Sequence, residues 1–323
     1  MDLSIISVNW NSVEYLRACI ASIYEYTVGI SFEIIVVDNA SPTQDVDLLK
    51  QHFRDVRIIK SATNLGFARA NNLGFKASSG RYLLFLNPDT ELVSPAINVL
   101  LERLKSLPAA GIVGCKLLNS DLSVQTSCIQ KFPTIVNQVT DIEYLRVRWP
   151  NCRLWGIGPL FASHAGPATV EVISGACMMV KREVFEEVAM FSEEYFMYAE
   201  DVDLSYKIRR IGLINYYVGE ATMIHHGGRS TAGQVPNQRD TIMKSKAILQ
   251  FCTKTRGRLY GLLYRAAMVL AAMGRLMLIA VMFALGNTVW KREVLQSAAA
   301  KWTAVLKWAV GLDDGALGLS SNP

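Results

Sequence analysis

Four short segments carry side chains whose types and spacing suit chemistry. Three carboxylates fall within four residues at Glu200-Asp201-Val202-Asp203, where a helical pattern begins. Groups that close disfavour one another's ionisation and raise at least one pKa toward the range of a general base, whereas a helix N-terminus favours the anion. Asn87-Pro88-Asp89-Thr90 follows the apolar run 83–86. A carboxylate there suits a hard divalent cation that bridges phosphates, and the same tetrapeptide also reads as an ordinary Asx-Pro turn. In His225-His226-Gly227-Gly228-Arg229-Ser230-Thr231, an imidazole at a strand end precedes glycines that admit close backbone approach. Arg229 suits a diphosphate. Finally, the polar start of the helical stretch from Asn64 to Gly74 offers amide groups to a nucleotide, or simply caps a helix. That stretch is no Walker loop, because Gly-Lys-Ser/Thr is missing. Asn9-Trp10-Asn11-Ser12 after the first apolar run lacks the glycines of a dinucleotide fingerprint, which argues against NAD chemistry.

These residues need a scaffold, and the first 120 residues supply its pattern. Apolar runs at 3–8, 32–37, 56–60, 81–86 and 111–115 predict strands. A helix capped by Ser12 carries Leu16, Ile20, Ile23 and Tyr24 on one face, and 67–79 predicts another that Gly80 ends. Strand and helix in alternation predict an α/β fold, a mostly parallel sheet with helices on its faces. Ligands sit at the carboxyl ends of such strands, where Asp38 and Asp89 both fall. Residues 132–168 read as an irregular excursion. Beyond it the pattern predicts a helix from Glu200 to Gly212 burying Leu204, Ile208 and Ile211, then strands 214–218 and 221–225.

The 323 residues are 51% hydrophobic and 19% charged, which excludes disorder for the bulk of the chain. Six scattered cysteines without a C-x-x-C pair exclude a disulfide scaffold or zinc knuckle and suit a reducing compartment. No secretory pattern follows Met1, so the expectation is a cytoplasmic chain. From Lys244 to Val310, eleven basic residues stand against the single acid Glu293. That stretch carries +10, whereas the remainder, 22 basic against 27 acidic, carries −5. The basic residues sit in an apolar context rather than on a polar face, which argues against nucleic acid. Residues 266–286 are apolar except for Arg275. A central arginine costs about 2.5–3.5 kcal/mol in a spanning helix, so the reading favours a helix lying in the membrane interface over a span or a soluble packing helix. Trp290, Trp302 and Trp308 repeat the theme. The expected organisation is a domain over 1–250 and a helical, membrane-associating tail over 251–323.

In order along the chain, Ser4-Ile5-Ile6-Ser7-Val8-Asn9-Trp10-Asn11, Ile35-Val36-Val37-Asp38-Asn39-Ala40-Ser41, Asn64 to Gly74, Asn87-Pro88-Asp89, Ser174-Gly175-Ala176, Glu200-Asp201-Val202-Asp203-Leu204 and the His225 loop resemble family 2 glycosyltransferases of the GT-A fold, and more narrowly their rhamnosyltransferase-like branch. The resemblance covers roughly 1–250. It implies that Asp38 hydrogen-bonds a pyrimidine base, that Trp10 flanks that base, and that Asn64, Arg69 and Asn87 line the nucleotide site. By the same resemblance Asp89 and His225 hold Mg2+ or Mn2+, Asp201 is the catalytic base, and Gly175, Glu200 and Arg229 serve the acceptor site and the diphosphate. Where many relatives carry Asp-x-Asp, this chain has Asn87-Pro88-Asp89, a neutral and weaker ligand set.

The activity implied is inverting transfer of a sugar from a nucleotide diphosphate sugar to a glycan or lipid-linked acceptor in cell-surface polysaccharide synthesis. Rhamnose from dTDP-rhamnose is the first expectation, and galactofuranose, N-acetylglucosamine or glucose from a UDP-sugar the alternative. The expected place is the inner face of the cell membrane, held there peripherally. The rivals are a nucleotidyltransferase, which the missing Gly-rich basic loop disfavours, and a non-catalytic membrane-bound glycan or nucleotide binder.

Overall fold

The computed structural model describes residues 1–43, 45–140, 142, 148, 149, 152, 154, 155, 166–227, 238–285 and 292–312. Its elements in chain order are β1 (Leu3–Asn9), α1 (Val13–Tyr26), β2 (Phe32–Asp38), β3 (Arg57–Lys60), α2 (Gly66–Lys76), β4 (Tyr82–Leu86), β5 (Thr90–Leu92), α3 (Ala96–Ser106), β6 (Ala110–Leu118), β7 (Ile129–Gln130) and α4 (Ile135–Thr140). There follow β8 (Pro167–Val170), β9 (Val172–Ile173), β10 (Cys177–Lys181), α5 (Arg182–Glu187), α6 (Glu200–Arg210), β11 (Ile214–His225), α7 (Gln238–Arg256), α8 (Arg258–Ala284) and α9 (Arg292–Ala309).

The main sheet runs β3-β2-β1-β4-β10-β6-β11-β5, with β8 added against β11. The pairs β3/β2, β2/β1 and β1/β4 are parallel, so Asn9, Asp38 and Asn87 emerge at one edge. Strand β10 runs antiparallel to β4 with Cys177 opposite Leu86, which brings the turn before it to the same edge. The α/β expectation therefore holds, with an antiparallel half added. The core covers both faces of the sheet: Ile5, Ile6, Val36 and Leu84 of β1, β2 and β4 and Leu16, Ile20 and Ile23 of α1 are all buried, with Ile6 and Val37 lying against Gly74 of α2. At roughly 2–5 kcal/mol for each large side chain truncated to Ala, this layer holds the edge rigidly.

Several local expectations are corrected. Ser12 precedes α1 but caps nothing: its hydroxyl donates to the Trp10 carbonyl instead. Helix α2 ends at Lys76, and Gly80 serves close packing, since a Cβ there would lie 2.5 Å from the Ser4 nitrogen. The two strands expected after α6 are one, β11, with a register shift against β6 between Val218 and Thr222. Leu204 and Ile208 are buried as expected, but Ile211 is exposed because α6 stops at Arg210.

The chain divides into two compact units, one comprising Met1–Phe132 and Trp155–Ala232, the other Pro133–Leu154 and Gly233–Pro323. The expected boundary at 250/251 lies inside α7. In the second unit α7, α8 and α9 pack around buried Phe251, Cys252, Tyr264 and Trp308. Arg275 turns inward within this unit: its guanidinium donates to the Val139 carbonyl at 2.8 Å and lies 4.0 Å over the Trp302 ring. Arg265 donates likewise to the carbonyls of Ala309 and Trp308. The outward side of α8 is apolar, with Leu259, Leu262, Leu270, Met273, Met277 and Val281 all exposed. Among the described residues α8 is the one helix long and apolar enough to cross a membrane.

Candidate active site

At the ends of β1 and β2, Asp38 is buried and its Oδ1 accepts from Asn9 Nδ2 at 2.8 Å and from the Ser41 hydroxyl at 2.6 Å. Ser41 Oγ in turn accepts from Asn9 Nδ2 and from the Asn11 amide. Among the described residues Oδ2 meets only the Ser41 amide, at 3.5 Å, which leaves it acceptor capacity for a ligand N–H. Asn39 bridges to the next loop: its Nδ2 donates to Asn64 Oδ1 at 2.8 Å and its Oδ1 accepts from the Leu65 amide. That leaves the exposed Asn64 Nδ2 facing solvent. Trp10 is half-buried beside this cluster, in the loop after β1. Arg69 instead reaches Glu193, donating to its carbonyl at 3.2 Å with the carboxylate at 3.8 Å.

The second group is made by the pairing of β5 with β11, which sets His225 opposite Thr90. Asp89 and His225 are both largely buried, and His225 Nε2 lies 3.2 Å from Asp89 Oδ1. Asn87 Nδ2 is 3.3 Å from the same ring nitrogen. On the far side of the ring, Nδ1 lies 2.6 Å from Gln125 Oε1. Ligands in adjacent octahedral positions at ~2.1 Å from a metal stand about 3 Å apart, which this pair matches. The donor set, one carboxylate and one imidazole with an amide beside them, fits Mg2+ or Mn2+. No three His, Cys, Asp or Glu side chains cluster tightly enough to hold a metal alone among the described residues. Water and substrate phosphate oxygens are the usual partners of such hard cations.

The third group lies at the start of α6. Tyr198 and Ala199 both take left-handed backbone, at φ +70° and +62°, conformations that cost about 1–3 kcal/mol each outside glycine. That turn delivers Asp201 to the sheet edge, where Oδ2 accepts from the Gly175 amide at 3.0 Å and Oδ1 from the Val202 amide at 2.8 Å. These N–H donors and the helix N-terminus favour the ionised carboxyl. Its neighbour Glu200 is 6% exposed, and Oε2 has no hydrogen-bond partner among the described residues. Burial, with the Asp201 charge next to it, pushes the Glu200 carboxyl up to about 8. The third acid is structural: Asp203 accepts from Ser192 Oγ at 2.5 Å and Tyr195 Oη at 3.4 Å, with Lys207 Nζ at 3.8 Å.

The second and third groups are joined. Asn87 donates its amide to the Ala176 carbonyl at 3.0 Å, and Gly175 donates to Asp201, so the cation pair and the acid share one turn. Arg229 lies outside the described residues. The sequence reading had not singled out Asn9, Asn39, Ser41 or Gln125 by role. The first three were visible as polar residues at strand ends, whereas nothing in the local pattern around Gln125 signals its contact with His225, 100 residues away.

A family model described as "Glycosyl transferase family 2" matches residues 4–189. An N-acetylglucosaminyl-diphospho-decaprenol L-rhamnosyltransferase of Mycobacterium tuberculosis is 28% identical over 240 residues, 71% of this chain and 77% of that protein. The rhamnosyltransferase WbbL of Escherichia coli K12 is 25% identical over 207 residues, 60% of this chain and 73% of its own. Among solved structures, a mannosyltransferase from Pyrobaculum calidifontis, in complex with GDP-Man and Mn2+, superposes with a TM-score of 0.61 at 15% identity, covering 96% of this chain and 86% of that one. GalNAc-T7, with UDP, GalNAc and Mn2+, superposes at 0.53 and 15% identity, covering 75% of this chain and 48% of that one.

Proposed function

Because the chain belongs to glycosyl transferase family 2, as a GT-A glycosyltransferase similar to the rhamnosyltransferase-like branch, we propose that it transfers rhamnose from dTDP-rhamnose to a lipid-linked or glycan acceptor with inversion. The observation that carries this reading is the convergence of three groups on one sheet edge: the Asn9–Asp38–Ser41 cluster, the Asp89–His225 pair and the Gly175–Asp201 contact. Asp38 Oδ2 accepts a base N–H, with Trp10 and Asn64 flanking the nucleotide. Asp89 and His225 would hold Mg2+ or Mn2+, which when bound would supply positive charge to a leaving diphosphate. Asp201 takes the proton from the acceptor hydroxyl, and a single base acting opposite the leaving group inverts the anomeric centre. Glu200, held neutral at pH 7, keeps a second negative charge away from that base. Support for rhamnose comes from the relatives' names; the solved neighbours hold GDP-Man in one case and UDP with GalNAc in the other, so the nucleotide is the point to test.

The outward apolar side of α8, in a segment of +10 charge, supports a peripheral place on an anionic membrane surface, the cytoplasmic face in this reading. A lipid-linked acceptor would then meet the site at that surface.

The test pairs binding with turnover. Thermal unfolding with dTDP, UDP or GDP, each with Mn2+, should show the largest rise in midpoint for dTDP. Asp201→Asn should keep that rise and lose transfer from dTDP-rhamnose by about 10²–10⁴-fold. Near-normal transfer by Asp201→Asn would remove it from the role of base, and a UDP-selective rise would move the donor to a UDP-sugar.

A further inference from the structure

We propose that Gln125 is a positioning residue for the cation pair: it holds His225 as the Nδ1–H tautomer and so keeps the Nε2 lone pair turned toward Asp89. The direction of every hydrogen bond behind this assignment follows from a chain that begins at the surface. Ionised Asp121 can only accept, so the Ser123 hydroxyl donates to its Oδ1 at 2.5 Å. With its proton committed, Ser123 Oγ accepts from Asn119 Nδ2 at 2.9 Å. That orients the Asn119 amide with Oδ1 toward Gln125, which donates from Nε2 at 3.1 Å and also reaches the His225 carbonyl at 3.4 Å. Gln125 Oε1 is then left facing His225 Nδ1 at 2.6 Å and can only accept there.

Polarity is thus passed from a carboxylate through a hydroxyl and two amides to the imidazole. The loop that carries the relay is itself closed by backbone bonds from Asn119 to the Ser123 carbonyl at 2.8 Å and from Leu122 to the Asn119 carbonyl at 2.9 Å. The same loop steadies the next residue, since Ser120 Oγ lies 2.9 Å from His226 Nδ1. A partner on the far ring nitrogen raises a histidine's ligand strength and fixes its orientation, and removing such partners commonly lowers metal affinity about 10- to 100-fold.

The proposal rests on the reading of Asp89 and His225 as a cation pair, and two measurements separate the two. In the metal-free wild-type protein at about pH 8, where an ordinary imidazole is neutral, the 15N shifts of His225 should report a proton on Nδ1. A proton on Nε2 overturns the proposal without any variant or metal. Mn2+ binding to the full chain, followed by electron paramagnetic resonance, should weaken about 10- to 100-fold in Gln125→Leu. It should recover in Gln125→Glu, whose carboxylate still accepts from Nδ1. Equal Mn2+ affinity in wild type and Gln125→Leu overturns the proposal alone. A wild-type protein that binds no Mn2+ overturns the cation reading, and this role with it, whichever nitrogen carries the proton.

Discussion

Within Glu200-Asp201-Val202-Asp203, three carboxyls of similar chemistry meet three environments. Asp203 is absorbed by Ser192, Tyr195 and Lys207, Asp201 by two backbone N–H groups, and Glu200 by nothing among the described residues that donates to its Oε2. Crowding of acids was legible in the sequence; which acid would be the one held neutral was not, because desolvation depends on what packs over each side chain. The consequence is a pH-dependent stability. The folded protein holds the Glu200 proton up to about pH 8, above the ordinary carboxylate value of 4.5 that the unfolded chain approaches. The native state therefore binds more protons than the unfolded state between those values, and stability falls as pH rises across that window. Glu200→Gln, neutral throughout, should match the wild type near pH 4 and gain thermal midpoint over it steadily up to about pH 8. Parallel midpoint curves for the two proteins over that range would place the Glu200 carboxyl in the ordinary range.

At the scale of elements, the site depends on contacts that bring distant loops to one edge. Helix α2 starts at Gly66, whose φ is +75° and whose absent Cβ would lie 2.2 Å from the Phe196 carbonyl oxygen. The adjacent Phe67 amide donates to that same carbonyl at 2.8 Å, tying the start of α2 to the strained Tyr198-Ala199 turn that delivers Asp201. Gly66→Ala combines backbone strain with a direct clash, so a loss of about 2 kcal/mol is expected. That corresponds to about 4–8 °C in the midpoint for a unit of this size, together with reduced transfer as the start of α6 shifts. An unchanged midpoint would mean that the two loops move independently. The glycine was visible in the sequence within the Asn64 to Gly74 segment, but its reason was not, since Phe196 lies 130 positions further along the chain. The same holds for Asp89 and His225, which meet only because β5 adds to the edge of β11.

At the scale of the whole molecule, the charge and apolarity of the tail were readable from composition alone, and the membrane reading rested on them. Arg275 stood in that reading as a charge near the centre of a possible span. Its guanidinium in fact lies against Val139 and Trp302, inside its own compact unit. The outward face of α8 is left uncharged, and it is the face expected to enter the interface of an anionic membrane. Replacing Leu262, Leu270 and Met277 together with Glu should abolish sedimentation of the full chain with vesicles containing phosphatidylglycerol, while leaving nucleotide-induced stabilisation intact. All three side chains are exposed, so the helix itself tolerates the change. Continued sedimentation at low and high salt alike would exclude this face as the anchor.

Periodicity and strand-end punctuation suffice to determine, from the sequence, the alternating α/β order, the sheet edge that carries Asp38 and Asp89, and a basic, apolar tail. These are local properties, set by backbone sterics and by the burial of nearby side chains. The tertiary structure decided the rest: which acid loses its solvent, which nitrogen of His225 turns to Asp89, and which side of α8 keeps its arginines. The contacts that orient His225 and Arg275 join groups 100 and 136 residues apart. Desolvation and hydrogen-bond direction exist only once those groups are packed together.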